Sequence, residues 1–398
     1  MAQIIKLPQL KPEMADIVRK HMGDYRKAYP VWPDQSKIVS ALLNCRTASL
    51  GGHIERCNHC SAERITYHSC RNRHCPKCQQ MPREKWTEAR KQELLPVSYF
   101  HVIFTLPHEL NPIILSNKSV MFKILFKAVS ETLLAFGKNK WGGKPGFIAV
   151  LHTWDQKLKA HFHLHCLIAG GVVSKNQNRW IPCKNNYLFN QQALSLVFRG
   201  KFIDHLTRAV RCNELSFGDG YPPFKNKLYT HQWVVSVREP IQQPEHVLEY
   251  LARYTHRTAI ANSRIKTLHD GRVTFNTQDR KKNKIVPITI TAVEFIRRFL
   301  LHSLPKRFVR IRHYGFLANR NRKANLNRIR RLLKLPAQLF GQIATSLTDM
   351  MLKLTGTDIT KCPYCQKGRM QRVAEIPMGG GKHPYDFIRP PNYRACLA

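Results

Sequence analysis

Acidic residues are scarce in this chain: 25 Asp and Glu stand against 65 Lys and Arg over 398 residues, a formal charge of +40. That excess goes far beyond what solubility requires and indicates a polyanionic partner. An apolar run of membrane-spanning length is also missing. The positive charge is spread along the whole chain and not gathered on one amphipathic helix, so nucleic acid is preferred to a membrane surface. The start of the chain has no continuous apolar signal core, so the twelve cysteines are not expected to form a secreted disulfide scaffold. Half of them lie between Cys45 and Cys78, largely in Cys-x-x-Cys pairs, a pattern that reads as zinc in a reducing cytosol. A phosphate-binding Gly-x-x-x-x-Gly-Lys-Ser/Thr loop is absent too; the stretch Gly379 to His383 does not meet its spacing. Internal repeats and long linkers are likewise missing, and the length leaves room for two or three domains with real cores.

The strongest local signal is Cys57-Asn58-His59-Cys60 followed, after fourteen residues, by Cys75-Pro76-Lys77-Cys78. Two such knuckles supply four thiolates, the donor set of a closed structural zinc site. Cys45, His53, His59, His68, Cys70 and His74 are left over and leave room for a second zinc or for other ligands. The basic loop Arg71-Asn72-Arg73-His74 suits phosphate contact, with a solvated turn as the plain alternative. Near the other end Cys362-Pro363-Tyr364-Cys365 is half a knuckle, with only His383 and Cys396 as partners downstream; zinc and no metal are equally supported there.

The stretch from Lys159 to Ile168 alternates His161, His163 and His165 with Phe162, Leu164 and Cys166. On a strand this period puts the three imidazoles on one face and the apolar residues in the core on the other. Neutral imidazole is the commonest metal ligand, so the face is a candidate metal site. His161 is the proposed third ligand beside His163 and His165, with His101, His108 and Asp155 as alternatives. Imidazole ligation suits manganese better than magnesium. About eighty residues on, Pro244 opens a helix-like pattern with Val247, Leu248 and Leu251 on a buried stripe. Tyr250 and Tyr254, four residues apart, would share one face of that helix. Two tyrosines so spaced are more often a packing pair, and their worth depends on whether they face the histidines.

These residues together resemble a known family. His163-Leu164-His165 is similar to the His-hydrophobe-His signature of HUH single-strand nucleases, and Tyr250-x-x-x-Tyr254 to the paired tyrosines of their two-tyrosine branch. With the cysteine-rich region, the chain resembles the rolling-circle insertion-sequence transposases over roughly residues 15–335; Phe104 to Leu110, Tyr254 to Arg257 and His313 to Leu317 read like that family as well. The resemblance implies a zinc-binding domain that helps recognise transposon ends, and a magnesium or manganese ion at the histidines. It also implies attack on a phosphodiester by Tyr250 or Tyr254, leaving a 5′-phosphotyrosine and a free 3′-OH. Tyrosine is mostly protonated at neutral pH, so the ion would polarise the phosphate and screen developing charge. The bond energy is kept in the adduct, so rejoining needs no nucleotide.

The expected architecture is α+β. It has a helical lead-in and zinc-binding domain over 1–90 and a nuclease domain over 91–316. A basic region over 317–398 ends in the half knuckle. A β-α-β-β-α-β order from about residue 97 to 254 predicts a split, largely antiparallel sheet with helices on one face and the histidine strand central. The helix after Val120 is expected to stop near Gly137, and the histidine strand at Gly170-Gly171. A hairpin over 272–290 has the basic tip Arg280 to Lys284. The densest basic run lies between Arg307 and Arg331, interleaved with Phe308, His313, Tyr314 and Phe316, which suits single-stranded DNA. Arg71, Arg73, Arg253, Arg257, Arg310, Arg312, Arg320 and Arg322 are the DNA-contacting candidates. Transposon ends and target DNA are thus the expected partners, in a cytoplasmic protein associated with the bacterial nucleoid. The alternatives are a rolling-circle replication initiator or relaxase, a non-enzymatic zinc-finger regulator, and a metal nuclease that activates water.

Overall fold

A computed structural model describes residues 11–183, 188–217, 220–242, 246–247, 258–279, 283–340 and 346–379. The chain opens with helices α1 (Met14–Ala28) and α2 (Pro33–Asn44), strands β1 (Gly52–Cys57) and β2 (Glu63–Tyr67), and α3 (Gln80–Lys91). Then come β3 (Tyr99–Thr105), α4 (Asn111–Ser116), α5 (Lys118–Trp141), β4 (Gly143–Trp154), β5 (Ala160–Ser174) and β6 (Trp180–Pro182). Next are α6 (Gln191–Arg211), α7 (Tyr221–Thr230), β7 (Val234–Val237), β8 (Ile265–His269), β9 (Arg272–Asp279), β10 (Lys284–Thr291) and α8 (Ala292–Leu301). The series closes with β11 (Ile311–Gly315), α9 (Arg322–Leu332), α10 (Leu347–Thr355) and β12 (Met370–Ile376). Among the described residues no helix is long and apolar enough to cross a membrane.

The fold is α+β, and its centre is an antiparallel sheet in the order β11-β4-β5-β3-β7, with β6 paired to β5. The histidine strand β5 is central, as the alternation of its residues requires. Phe162, Leu164, Cys166 and Ile168 enter the largest core with Phe100, Val102, Phe104, Phe147, Ala149 and Leu151. Helices α5 and α6 close that face through residues such as Phe122, Leu125, Phe198 and Phe202. The opposite face carries Tyr99, Ile148, Val150, Leu167 and Ala169, under Leu326 and Ile329 of α9.

Two expected breaks fall elsewhere. Helix α5 runs through Gly137 to Trp141 and ends where Gly142 takes the left-handed conformation (φ 65°) that only glycine adopts freely. Strand β5 continues past Gly170 and Gly171 to Ser174, because these glycines answer to close approach and not to a turn. A Cβ on Gly170 would lie 2.6 Å from the Ser98 carbonyl, and one on Gly171 would collide with the Trp180 ring.

A second core joins the helical lead-in to a distant part of the chain. Met14, Ile17 and Val18 of α1 and Leu42 of α2 pack with Phe275 of β9 and with Phe295, Ile296 and Phe299 of α8. The sheet β10-β9-β8 supplies the expected hairpin, its tip residues 280–282 lying outside the described residues. A third sheet, β12-β1-β2, brings the far end of the chain back to the cysteine-rich region.

Candidate functional site

The central sheet brings together His152 of β4 with His163 and His165 of β5; one ring nitrogen of each lies within 4.8 Å of the others, and all three side chains are buried. Strand register does this, because His152 stands directly opposite His163 across an antiparallel pair. The His163 Nε2 and His165 Nε2 atoms face each other at 3.0 Å. His163 Nδ1 donates to the His161 carbonyl at 3.0 Å, which fixes its proton there and leaves the Nε2 lone pair free of it. His165 Nδ1 lies 2.8 Å from His101 Nε2, and burial pulls the His101 pKa down to about 4, so that ring is neutral and able to accept. Two lone pairs facing each other repel unless a proton or a cation lies between them. The residues present therefore fit a divalent ion, with His161's carbonyl and His101 as the outer contacts that orient its ligands. Trp154 stacks on His152 (4.9 Å between centroids, 19° between planes), restricting that ring from the side.

The third ring is thus His152 and not His161, whose side chain is exposed. The alternatives are displaced as well. Asp155 Oδ1 accepts from the Lys157 and Lys159 amides (2.8 and 2.7 Å), building the turn between β4 and β5. His101 backs His165, and His108 belongs to a separate group with Glu109 and His231. His152 was visible in sequence as a polar residue in a predicted strand, but nothing local to it shows the cross-strand register that brings it to His163.

Tyr250, Tyr254, Arg253 and Arg257 lie outside the described residues. Just ahead of them Val247 is fully buried in the apolar cluster on the histidine face of the sheet.

The cysteines divide differently from the expected single site. Cys57 and Cys60 do not meet Cys75 and Cys78; the latter pair groups with Cys45 and Cys70, and Cys57 and Cys60 group with Cys362 and Cys365. The first group has Sγ–Sγ separations of 3.4–3.6 Å (Cys45–Cys78, Cys70–Cys78, Cys75–Cys45), and the second has two of 3.7 Å (Cys57–Cys365, Cys60–Cys362). Four sulfurs about 2.3 Å from a tetrahedral zinc stand about 3.8 Å apart. Both groups therefore fit zinc. The second has the amide-to-sulfur contacts of a metal knuckle: His59 and Cys60 N–H to Cys57 Sγ, and Gly368 N–H to Cys365 Sγ at 3.4 Å. The Gly368 amide is the first cause drawing the Cys365 thiol down to about 6, toward the thiolate a metal needs. The half knuckle near the end of the chain thus finds its partner upstream, some three hundred residues away, with β12 paired to β1 beside it. Cys362→Ser in the whole chain is expected to lower the zinc content by one per chain relative to wild type and to expose β12 to proteolysis. Atomic absorption and limited digestion check this, and an unchanged zinc content would oppose it.

Several of the arginines expected to contact DNA are engaged within the fold instead. Arg73 donates to the Phe308 carbonyl at 2.6 Å, and burial lowers its pKa. Arg310 is half-buried, and desolvation of its guanidinium pulls its pKa down to about 10. Arg312 covers the Phe126 ring at 4.1 Å, and Arg322 pairs with Glu93 at 3.1 Å. Arg71 and Arg320 remain exposed.

Comparison with known proteins agrees with this organisation. A family model described as a transposase zinc-binding domain matches residues 17–106, and one described as a putative transposase matches residues 146–325. A putative transposase, y4qJ, of Sinorhizobium fredii (strain NBRC 101917 / NGR234) is 41% identical over 374 residues, spanning 90% of this chain and 94% of the relative. The transposase for insertion sequence element IS801 of Pseudomonas savastanoi pv. phaseolicola is 26% identical over 298 residues, 71% of this chain and 70% of the relative. No solved structure matches. With a zinc-binding domain ahead of a transposase domain and a relative this similar along nearly its whole length, the chain belongs to the rolling-circle family of insertion-sequence transposases.

Proposed function

We propose that this transposase cuts and rejoins single-stranded DNA by tyrosine attack on a phosphodiester beside a divalent ion held by His152, His163 and His165. The observation that carries this reading is the buried trio of imidazoles at one end of the central sheet, one ring nitrogen of each within 4.8 Å of the others. Magnesium or manganese there would supply Lewis acidity toward the scissile phosphate. The chain's part is to position the ligands, exclude water and present the nucleophile.

Val247 supports Tyr250 and Tyr254 as that nucleophile. It is buried against the histidine face, and Tyr250 and Tyr254 follow it by three and seven residues, the spacing of one helical stripe. Two nucleophiles allow one site to open a second strand while still holding the first, which suits exchange between donor and target better than a single nick. The +40 charge supports DNA as the partner, and a chain of this kind would work on the nucleoid.

The test is a labelled single strand bearing element ends, incubated with manganese and run on a denaturing gel. Wild type is expected to give a detergent-stable protein–DNA adduct. Either single change, Tyr250→Phe or Tyr254→Phe, should leave some adduct, and the double change none. Cleavage that persists without an adduct in the double variant would mean water is the nucleophile. Tight binding to verified ends with no cleavage by wild type would leave a non-enzymatic regulator.

A further inference from the structure

Outside the sites above, His108, Glu109 and His231 form a group whose ligand atoms lie within 4.8 Å of one another. His108 and Glu109 follow the end of β3, and His231 precedes β7, the strand paired to β3, so the sheet itself brings them together. Glu109 Oε1 lies 3.0 Å from His231 Nε2. The Glu109 side chain is only 10% exposed, yet its Oε2 is buried without a hydrogen bond, and His108 Nδ1 stands off at 3.5 Å. A buried carboxylate oxygen that accepts nothing is costly, and an ordinary ion pair with His231 leaves that cost unmet.

We propose that His108, Glu109 and His231 bind a divalent ion of the zinc class. Two imidazoles and one carboxylate are a recurrent three-ligand set for zinc, leaving a fourth position for water or an anionic oxygen. On binding the ion, His231 would present its Nε2 lone pair with its proton held at Nδ1, and the orphan Oε2 of Glu109 would gain a partner. This centre is separate from the His152 group. His231 borders a cleft of about 350 Å³ with Gln191, Ser195 and Arg199 of α6, and α6 packs on the sheet face opposite the histidine trio. The open position would therefore face that cleft and not the proposed cleavage centre. Zinc binding at this group is independent of the proposed tyrosine chemistry.

The experiment titrates zinc ion alone into the full chain with its thiolate zincs in place, in a His163→Ala background that disables the trio. One further zinc per chain is expected. Glu109→Gln or His231→Gln should weaken its binding by more than the 10–100-fold that a lost outer contact costs. His108→Ala serves as the variant least able to disturb folding, since that ring is 83% exposed. No uptake in the His163→Ala chain, as a plain ion pair would give, overturns the proposal. Uptake unchanged in all three variants overturns it equally. Zinc bound by the His163→Ala chain while adduct formation fails in wild type would separate this centre from the fate of the nuclease reading.

Discussion

His152→Ala is expected to slow single-strand cleavage about a thousandfold, the scale of losing a group that stabilises developing charge at the reaction centre. His161→Ala is expected to leave the rate within a few fold. The contrast follows from geometry. His152 places a ring nitrogen within 4.8 Å of those of His163 and His165 from a buried position, whereas His161 is exposed and contributes its carbonyl, which alanine keeps. His101→Ala should fall between them, at about 10–100-fold, because it orients His165 without reaching the ion. Single-turnover cleavage at one fixed, sub-saturating manganese concentration reads all three, and a manganese titration distinguishes a weakened site from a lost ligand: His101→Ala should recover at high metal and His152→Ala should not. A large loss in His161→Ala with a small one in His152→Ala would return the third ligand to β5 and discard the cross-strand assignment.

What could be read from sequence here follows how local each signal is. The period of two in β5 was enough to sort His163 and His165 from Phe162, Leu164 and Cys166, because alternation is a property of the strand alone. The place of His152 depends on the register between β4 and β5, which shifts at an irregularity between His152 and Trp154. No residue pattern announces that shift. The cysteines show the same limit. Spacing identifies each Cys-x-x-Cys as a knuckle but not its mate, and here Cys57 and Cys60 pass over Cys75 and Cys78, nearby in sequence, for Cys362 and Cys365, brought close by the β1–β12 pairing. The arginines mislead in a third way. Arg73, Arg310 and Arg322 count toward the positive charge as any exposed arginine does, yet Arg73 is bonded to the Phe308 carbonyl, Arg322 is paired with Glu93, and the head of Arg310 is desolvated. Only burial separates a cation that holds a loop from one free to meet a phosphate.

Cys75→Ser is expected to unfold the second core of the chain. Cys45, Cys75 and Cys78 are buried in the core that also holds Met14, Ile17 and Val18 of α1 and Phe275, Phe295 and Phe299 of β9 and α8. Zinc at this group would tie the loop over 70–78 to the end of α2 and close that core from one side. A structural zinc site of this type has an apparent binding free energy of roughly 10–16 kcal/mol at neutral pH, comparable to the whole stability of a domain. Its loss should therefore melt α1, α2, the β8–β10 sheet and α8 as one unit, although α8 lies some two hundred residues from the cysteines in sequence. The core between α5, α6 and the central sheet shares none of those side chains and should persist. Circular dichroism with limited proteolysis reads the difference: Cys75→Ser or chelation should open both 14–45 and 259–300 to digestion, whereas Cys362→Ser should open only the ribbon of β1, β2 and β12. Protection of 259–300 in Cys75→Ser would show that the metal is dispensable to this core and that α1 and α8 hold each other by apolar contact alone.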